Sequence, residues 1–391
     1  MPTLLMFAPA PVIELPDGEV ILDIKFVEGM KLHCQLWPGQ VICVLRRGVD
    51  TIPFGARYNP GRLGFRLIVL DYFDPVPDEL IEDAGVVFCS VETMQYLDMP
   101  ARMQGRPGTL VFTLEYSLRT RLQMAMLQQD QPLQRRLRSA FWNLRHEPAL
   151  RRSMRQADGM QFNGYPGMRA YGHLNRNSMM YLDNRMRAPM LAKPEEMQAR
   201  IDHLGSGGPI RLIHSGRLDP VKGAQDLIPI ATALRDRKVN FTLDIFGTGK
   251  LEPEIAAGIA AHALSDRVRL HAPVNFEAVL VPHSRQNADV FLSCHRQSDP
   301  SCTYLEALGC GLPIVGYRND MWRALQAECN AGWVAPLGQP HGLVEHIVRL
   351  DRNRAEITEH ATRALAFARK HSFEAEFSAR MQHLRRVAGL E

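Results

Sequence analysis

The sequence predicts an α/β chain built from two doubly wound parallel sheets. Three observations point there. Short apolar runs of strand length alternate with helical or loop segments in both halves of the chain. At 391 residues the chain is too long for one ordinary hydrophobic core. A glycine cluster, Gly205-Ser206-Gly207-Gly208, sits just before a clean second succession of strands and helices, which marks a domain boundary.

Bulk properties narrow the class. The composition, 46% hydrophobic and 23% charged, is that of an ordinary globular protein. A net charge of +4 is too small to argue for nucleic acid without a localised patch. The most apolar stretches, such as 67–70 and 85–89, are strand-sized and far short of a membrane span. The opening MPTLLMFAPAPV lacks the basic and long apolar regions of a signal peptide and reads as the first core strand. Seven cysteines, an odd number, argue against a disulfide framework. Cys294, Cys302 and Cys310 recur every eight residues, which matches no usual zinc spacing, so buried free thiols in a reducing cytosol are expected. No Asp-x-Asp pair is present to hold a divalent ion beside a diphosphate. No metal and no cofactor are therefore expected.

The elements follow in order. A strand at 4–7 leads into Ala8-Pro9-Ala10-Pro11 and a turn at 16–18. A helix-like segment, 20–36, ends at Trp37-Pro38-Gly39, and a buried strand at 40–46 carries Arg46 and Arg47 at its carboxyl end. Further strands are expected at 65–70, 85–89 and 109–114, then at 157–162 and 178–182, closing a first domain of residues 1–190.

Between Arg119 and Arg155 the character changes to an Arg-rich, nearly acid-free segment interleaved with Leu, Met, Phe141 and Trp142. Such a basic amphipathic stretch has two readings. Its apolar stripe is core beneath a helix pair, or it lies on an anionic membrane surface.

The connector from 187 to 208 introduces the second domain, 205–371. A strand at 209–214 enters a tight turn at Ser215 and Gly216; Asp219-Pro-Val-Lys222-Gly then opens a helix at 224–234. A strand at 241–246 closes on Gly247-Thr248-Gly249, and a helix at 251–264 precedes a short strand at 268–270. Next comes the most informative stretch, VFLSCHRQSDPSCTYLEALGCGLPIVGY at 290–317. It reads as a strand, a polar loop, a helix starting near Ser301 or Thr303, and a second strand at 312–315. In a parallel sheet, ligands sit outside the carboxyl ends of the strands, and a helix N-terminus suits a phosphate. Glu306, in the first turn, is placed to accept the hydroxyls of a ribose. Alternatively Thr303-x-x-Glu306 is a capping box that serves only its own helix. Residues 372–391 form an amphipathic terminal helix, with Phe373, Phe377, Met381 and Leu384 on one face.

Three pieces meet at one sheet edge: the Ser215–Lys222 turn, the Gly247–Gly249 turn and the helix start at Ser301. Arg217 and Lys222 supply cations, the glycines allow close backbone approach and the helix supplies amides. Together they describe a diphosphate site.

Four motifs in this order, HSGRLDPVKGAQDLIPIATAL, LDIFGTGK, NADVFLSC and PSCTYLEALGCGLPIVG, resemble those of the GT-B glycosyltransferases, and most of all retaining family 4 (glycosyl transferases group 1). The resemblance covers essentially the whole second domain and is weak over the first. It implies two Rossmann-like domains facing each other across a cleft, the first binding the acceptor and the second a nucleotide-diphosphate sugar. The terminal helix would cross back to the first domain. It implies that Gly216 lies in the diphosphate loop and that Arg217 and Lys222 grip the leaving diphosphate. The amides of Ser301, Cys302 and Thr303 would face the phosphates, and Glu306 would bind the ribose as the second Glu of a Glu-x7-Glu motif. Ser215 and Gly247 line the same donor site. The activity implied is retaining transfer of a hexosyl unit to a saccharide or lipid-linked saccharide, in the cytoplasm or at the inner face of its membrane, in bacterial surface polysaccharide or glycolipid assembly.

The departures from the family pattern are specific. The first Glu of the motif falls on Ser298, with Asp299 beside it as a replacement carboxylate, and Pro300 removes a backbone amide. Ala8-Pro-Ala-Pro stands where relatives carry glycines. Glu115 lies near the place where relatives often carry a histidine, and takes that catalytic role in the comparison. These departures keep two rivals open: a sugar-nucleotide 2-epimerase of the same architecture, and a non-catalytic nucleotide-sugar-binding protein.

Overall fold

A computed structural model describes residues 2–48, 51–52, 55–128 and 131–391. The chain divides into two compact units. The first comprises residues 1–117, 144–181 and 375–391, the second 118–143 and 182–374. The terminal segment thus belongs with the first unit, and the start of the Arg-rich segment belongs with the second.

Among its described residues the first unit holds nine strands: β1 (Thr3–Glu14), β2 (Val20–Asp23), β3 (Val41–Arg47), β4 (Gly55–Tyr58), β5 (Arg66–Leu70), β6 (Ala84–Ser90), β7 (Thr109–Leu114), β8 (Gly159–Asn163) and β9 (Ser178–Tyr181). Its parallel core runs β5-β3-β1-β6-β7-β8-β9, and β2 and β4 join β1 as an antiparallel extension. Apolar strands such as Val41–Leu45 and Val86–Cys89 are buried throughout, as expected of a parallel sheet covered on both faces.

Two expectations fail here, for local reasons. Strand β1 does not stop at Phe7. A register shift between Phe7 and Pro11 absorbs the Ala-Pro-Ala stretch, and β1 goes on to pair Ile13 and Glu14 with β2. A proline lacks the amide that a ladder needs, and a bulge is where that lack costs least. The helix expected at 20–36 begins only at Ile24, because Asp23 caps it by accepting from the Phe26 amide at 3.0 Å. Residues 20–23 are strand β2 instead.

The terminal helix, Phe373–Val387, packs in the first unit along its residues from 375 onward. Arg380 lies 4.0 Å from the Tyr181 ring centroid and donates from Nε to Gln161 Oε1 at 3.0 Å. Gln161 Nε2 returns a bond to the Arg380 carbonyl at 2.9 Å, so the helix is locked to β8.

The second unit carries β10 (Ile210–Ser215), β11 (Phe241–Phe246), β12 (Val268–His271), β13 (Val290–Ser293), β14 (Ile314–Tyr317) and β15 (Gly332–Ala335). All are parallel, in the order β12-β11-β10-β13-β14-β15. Counted within the unit this is 3-2-1-4-5-6, the dinucleotide-fold order, with its reversal between β10 and β13. Strand β14 starts at Ile314, two residues later than the sequence suggests, because Leu312 and Pro313 complete the turn out of helix Cys302–Gly309.

All seven cysteines are free thiols, five of them buried. No helix among the described residues is long and apolar enough to cross a membrane.

Candidate active site

Strands β10 and β13 flank the reversal in strand order, so the loops leaving their carboxyl ends part in opposite directions and leave room for a ligand. These loops also touch. The amides of Arg296 and Gln297 approach the Val221 carbonyl at 3.2 and 3.3 Å. Gly223, at φ 70°, makes the approach possible: a Cβ there would sit 1.8 Å from the Cys294 carbonyl oxygen. Gly247 does the same for the neighbouring turn, since a Cβ on it would lie 1.9 Å from the Gly216 carbonyl oxygen.

Lys222 is the centre of the arrangement. Only 7% exposed, it ends the short turn Pro220–Lys222 and places Nζ 2.5 Å from Asp299 Oδ2 and 3.4 Å from Ser301 Oγ. Ser301 is the N-cap residue of helix Cys302–Gly309, and its hydroxyl meets Thr303 Oγ1 at 3.0 Å. A buried cation thus stands beside the positive end of a helix, balanced by a single carboxylate. Asp299 Oδ1 is buried with no partner among the described residues.

Arg217 behaves differently. Its side chain is two-thirds exposed, and Nη1 meets Asp219 Oδ2 of its own turn at 3.2 Å. Ser215 closes β10, and the Gly216 amide bonds to the Phe246 carbonyl at 3.0 Å, tying the first loop to β11.

Beneath this edge lie two enclosed histidines. The His214 imidazole pairs through Nδ1 with the Leu292 carbonyl at 2.9 Å. Burial lowers its pKa to about 4 against that bond. His295 has no partner at either ring nitrogen among the described residues. Burial first, then the charges of Lys222, His214 and Arg217, hold it well below the usual histidine range.

Ser298 and Glu306 are already engaged. Ser298 Oγ accepts from the Asp320 amide at 3.0 Å, and its own amide donates to Gln123 Oε1 at 3.2 Å. Its hydroxyl thus helps start the next helix. Glu306 is not part of a capping box, because Ser301 is the N-cap and Thr303 lies inside the helix. Instead Glu306 Oε1 accepts from Arg185 Nε at 2.8 Å, and the Arg185 guanidinium lies 3.8 Å from the Phe276 ring centroid. Cys302 Sγ lies 3.6 Å from Asp183 Oδ2. Glu115 follows β7 in the first unit, where its amide donates to Glu92 Oε2 at 2.7 Å.

Sequence reasoning missed the residues that hold this geometry. Asn319 caps helix Asp320–Cys329 by accepting from the Trp322 amide at 2.8 Å. Its Nδ2 also donates to the His295 carbonyl at 3.0 Å and to Tyr304 Oη at 2.9 Å. Asp226 takes Arg296 Nη2 at 2.8 and 2.9 Å and the Tyr317 hydroxyl at 2.9 Å. The asparagine ahead of a helical run was a readable cap signal. Nothing in the sequence announced Arg185, which lies 121 residues from Glu306.

Comparison with known proteins meets this geometry. Residues 209–353 match the family model for glycosyl transferases group 1. The amylovoran biosynthesis glycosyltransferase AmsK of Erwinia amylovora is 27% identical over 189 residues, 45% of this chain and 42% of that protein. The D-inositol 3-phosphate glycosyltransferase of Arthrobacter sp. (strain FB24) is 30% identical over 115 residues, 28% of this chain and 27% of that protein. The chain therefore matches less than half the length of either curated relative. Solved structures are similar over nearly the whole chain. Anabaena Alr3699/HepE in complex with UDP has a TM-score of 0.67 at 14% identity, covering 98% of both chains. Its complex with UDP-glucose gives 0.62 at 13%, again over 98% of both. Sucrose-phosphate synthase from Thermosynechococcus elongatus gives 0.66 at 14%, over 99% of this chain and 98% of that one. At these identities the likeness is one of fold, and the fold is GT-B.

Proposed function

We propose that the chain is a group 1 glycosyltransferase that moves a hexosyl unit from a nucleotide-diphosphate sugar to a hydroxyl of a saccharide or lipid-linked saccharide. The observation that carries this reading is Lys222: a buried ammonium beside the Ser301 start of a helix, at the strand-order reversal of a dinucleotide-type sheet. The match of residues 209–353 to the family model and the relative in amylovoran biosynthesis support the reaction class and a role in surface polysaccharide or glycolipid assembly. Because the HepE structures hold UDP and UDP-glucose, uridine sugars are the first donors to test.

The chemistry follows from charge. Cleaving the anomeric carbon–oxygen bond leaves negative charge on the departing diphosphate. Lys222, Arg217 and the amides of Ser301, Cys302 and Thr303 stand where that charge grows, so they favour the transition state over the ground state. Side chains and amides do this without a metal ion. The sugar gains oxocarbenium character, and the acceptor attacks from the face the diphosphate leaves, giving retention as in family 4. The leaving phosphate oxygen takes the acceptor's proton. A lipid-linked acceptor would set the reaction in the cytoplasm, at the inner face of the membrane.

Asp299 then has a defined part. It neutralises Lys222 and gives it up when a diphosphate brings its own charge. Glu306 takes the ribose hydroxyls, with Arg185 holding its carboxylate in place. Ser215, Gly216 and Gly247 shape the wall along the phosphates, Ser298 anchors the loop near the sugar, and Glu115 is assigned to the acceptor side.

The test is direct. A thermal-shift screen of nucleotide sugars should single out the donor, since ligand binding raises apparent stability by mass action. Release of nucleoside diphosphate should then depend on an acceptor. Lys222→Ala should lower transfer by about a hundredfold or more, and Arg217→Ala by about tenfold, in proportion to their burial. Wild-type rates from both variants would refute the assignment. Binding without turnover across a panel of acceptors would mark a non-catalytic nucleotide-sugar-binding protein, and epimerised donor without acceptor would mark a 2-epimerase.

A further inference from the structure

From Leu133 to Glu147 the helix Leu133–Gln156 buries polar residues and exposes apolar ones. Asn143 and Glu147, 8% and 6% exposed, point inward. Leu133, Leu137, Phe141 and Leu144 are 57%, 52%, 64% and 50% exposed. Their spacing of four, four and three residues puts them on one stripe. The inward polar residues are served: Asn143 Nδ2 donates to the Ser139 carbonyl at 2.9 Å, and Glu147 Oε1 accepts from Arg151 Nε at 2.7 Å. Only from Leu150 and Met154 onward does the helix bury apolar residues in the usual way. The stripe is therefore not core, which removes one of the two readings that the sequence leaves open.

Charge says what covers it. Between Arg119 and Arg155 the sequence has nine arginines against two acids, Asp130 and Glu147. Arg138, Arg145 and Arg152 recur at seven-residue intervals, so they form one exposed row along the flank of the apolar stripe. A second copy of the chain fits poorly, because a two-fold contact would set this cationic row beside its own image. Nucleic acid fits poorly, because bases can stack on an aromatic ring but the polar nucleic-acid surface offers little to the three exposed leucines, Leu133, Leu137 and Leu144. A surface that is both apolar beneath and anionic above fits both features.

We propose that this helix docks on an anionic lipid bilayer. Leu133, Leu137, Phe141 and Leu144 enter the boundary between headgroups and acyl chains, about 5–10 Å deep. Arg138, Arg145 and Arg152 lie against the lipid phosphates. Docking needs neither donor nor acceptor, so it stands or fails independently of the transferase reading.

Flotation with the full chain tests it. Vesicles about one-third phosphatidylglycerol in phosphatidylcholine should carry the protein at low salt, and pure phosphatidylcholine at least about tenfold less. Raising salt severalfold should weaken binding. Leu137→Ser with Phe141→Ser should lower binding about tenfold or more, and Arg138→Gln with Arg145→Gln by a similar factor. Both pairs are exposed, so thermal unfolding should be unchanged, and Val279→Ser, at an exposed apolar site on another helix, should float like the wild type. Failure of the wild type to float on anionic vesicles would overturn the proposal. So would unchanged flotation of the Leu137/Phe141 variant, or a dimer in light scattering that this variant dissociates.

Discussion

A carboxylate and an ammonium confined together define the site at the residue scale. Lys222 and Asp299 are 7% and 8% exposed and 2.5 Å apart, so removing either leaves a buried charge uncompensated. Lys222→Met alone should destabilise the second unit by about 3 kcal/mol, and Lys222→Met with Asp299→Asn should recover much of that loss. Chemical denaturation of the single and double variants measures it, and additive losses would show that the pair is not coupled. Glu306→Gln has a different signature. If the carboxylate holds ribose hydroxyls, donor KM should rise about tenfold with kcat nearly unchanged, and discrimination against a 2′-deoxyribose donor should vanish. A fall in kcat alone would place Glu306 elsewhere in the reaction. The Ser298 hydroxyl is committed to the Asp320 amide, leaving Asp299 as the nearest carboxylate in sequence.

At the scale of elements, the two loops beyond β10 and β13 are held by contacts that no single segment could make. Asn319 joins a helix cap, the His295 carbonyl and Tyr304 in one buried side chain. Asn319→Ala should cost about 2–3 kcal/mol, more than a surface cap, because it also strands buried polar groups. Its donor affinity should fall as well, since the His295 loop loses its anchor. Urea titration read beside donor titration checks both, and a loss below about 1 kcal/mol would reduce Asn319 to an ordinary cap. Gly223→Ala meets a harder limit, a backbone carbonyl 1.8 Å from the new methyl. The two loops would have to separate, and donor binding should be lost before the fold is.

The whole molecule carries an acid liability. Burial holds His33 at about 3, helped by the nearby Arg380 charge, and His214 at about 4, both against an ordinary value of 6.5. His295 is shifted in the same direction. In the unfolded chain these imidazoles take up protons below pH 6.5 while the folded protein refuses them. Stability is therefore full above that pH and falls as the pH drops from 6.5 toward 4. Each such histidine contributes a loss of about 1.4 kcal/mol per pH unit in that window. Urea midpoints should fall between pH 7.5 and 5.5, well before the carboxylates titrate, and His214→Gln should flatten the dependence for the second unit. Midpoints constant across that range would show that the buried rings are not held neutral.

Much of this was legible in the chain itself. Strands β13 and β14 of the second unit are short, largely apolar runs that are buried throughout, and such runs leave few alternatives to a buried parallel sheet. Strand β13, β11 and the Ser301 helix start sit where local pattern puts them, and the Gly216, Lys222 and Gly247 turns fall at the sheet edge that the βα order implies. Tertiary structure alone decided the rest. The extra length of β1 depends on a partner strand that absorbs a bulge, and the Arg185–Glu306 pair joins residues 121 positions apart. The outward face of helix Leu133–Gln156 has the same origin. Periodicity shows that a stripe is apolar, but which side of a helix meets the protein is set by the groups that pack against it.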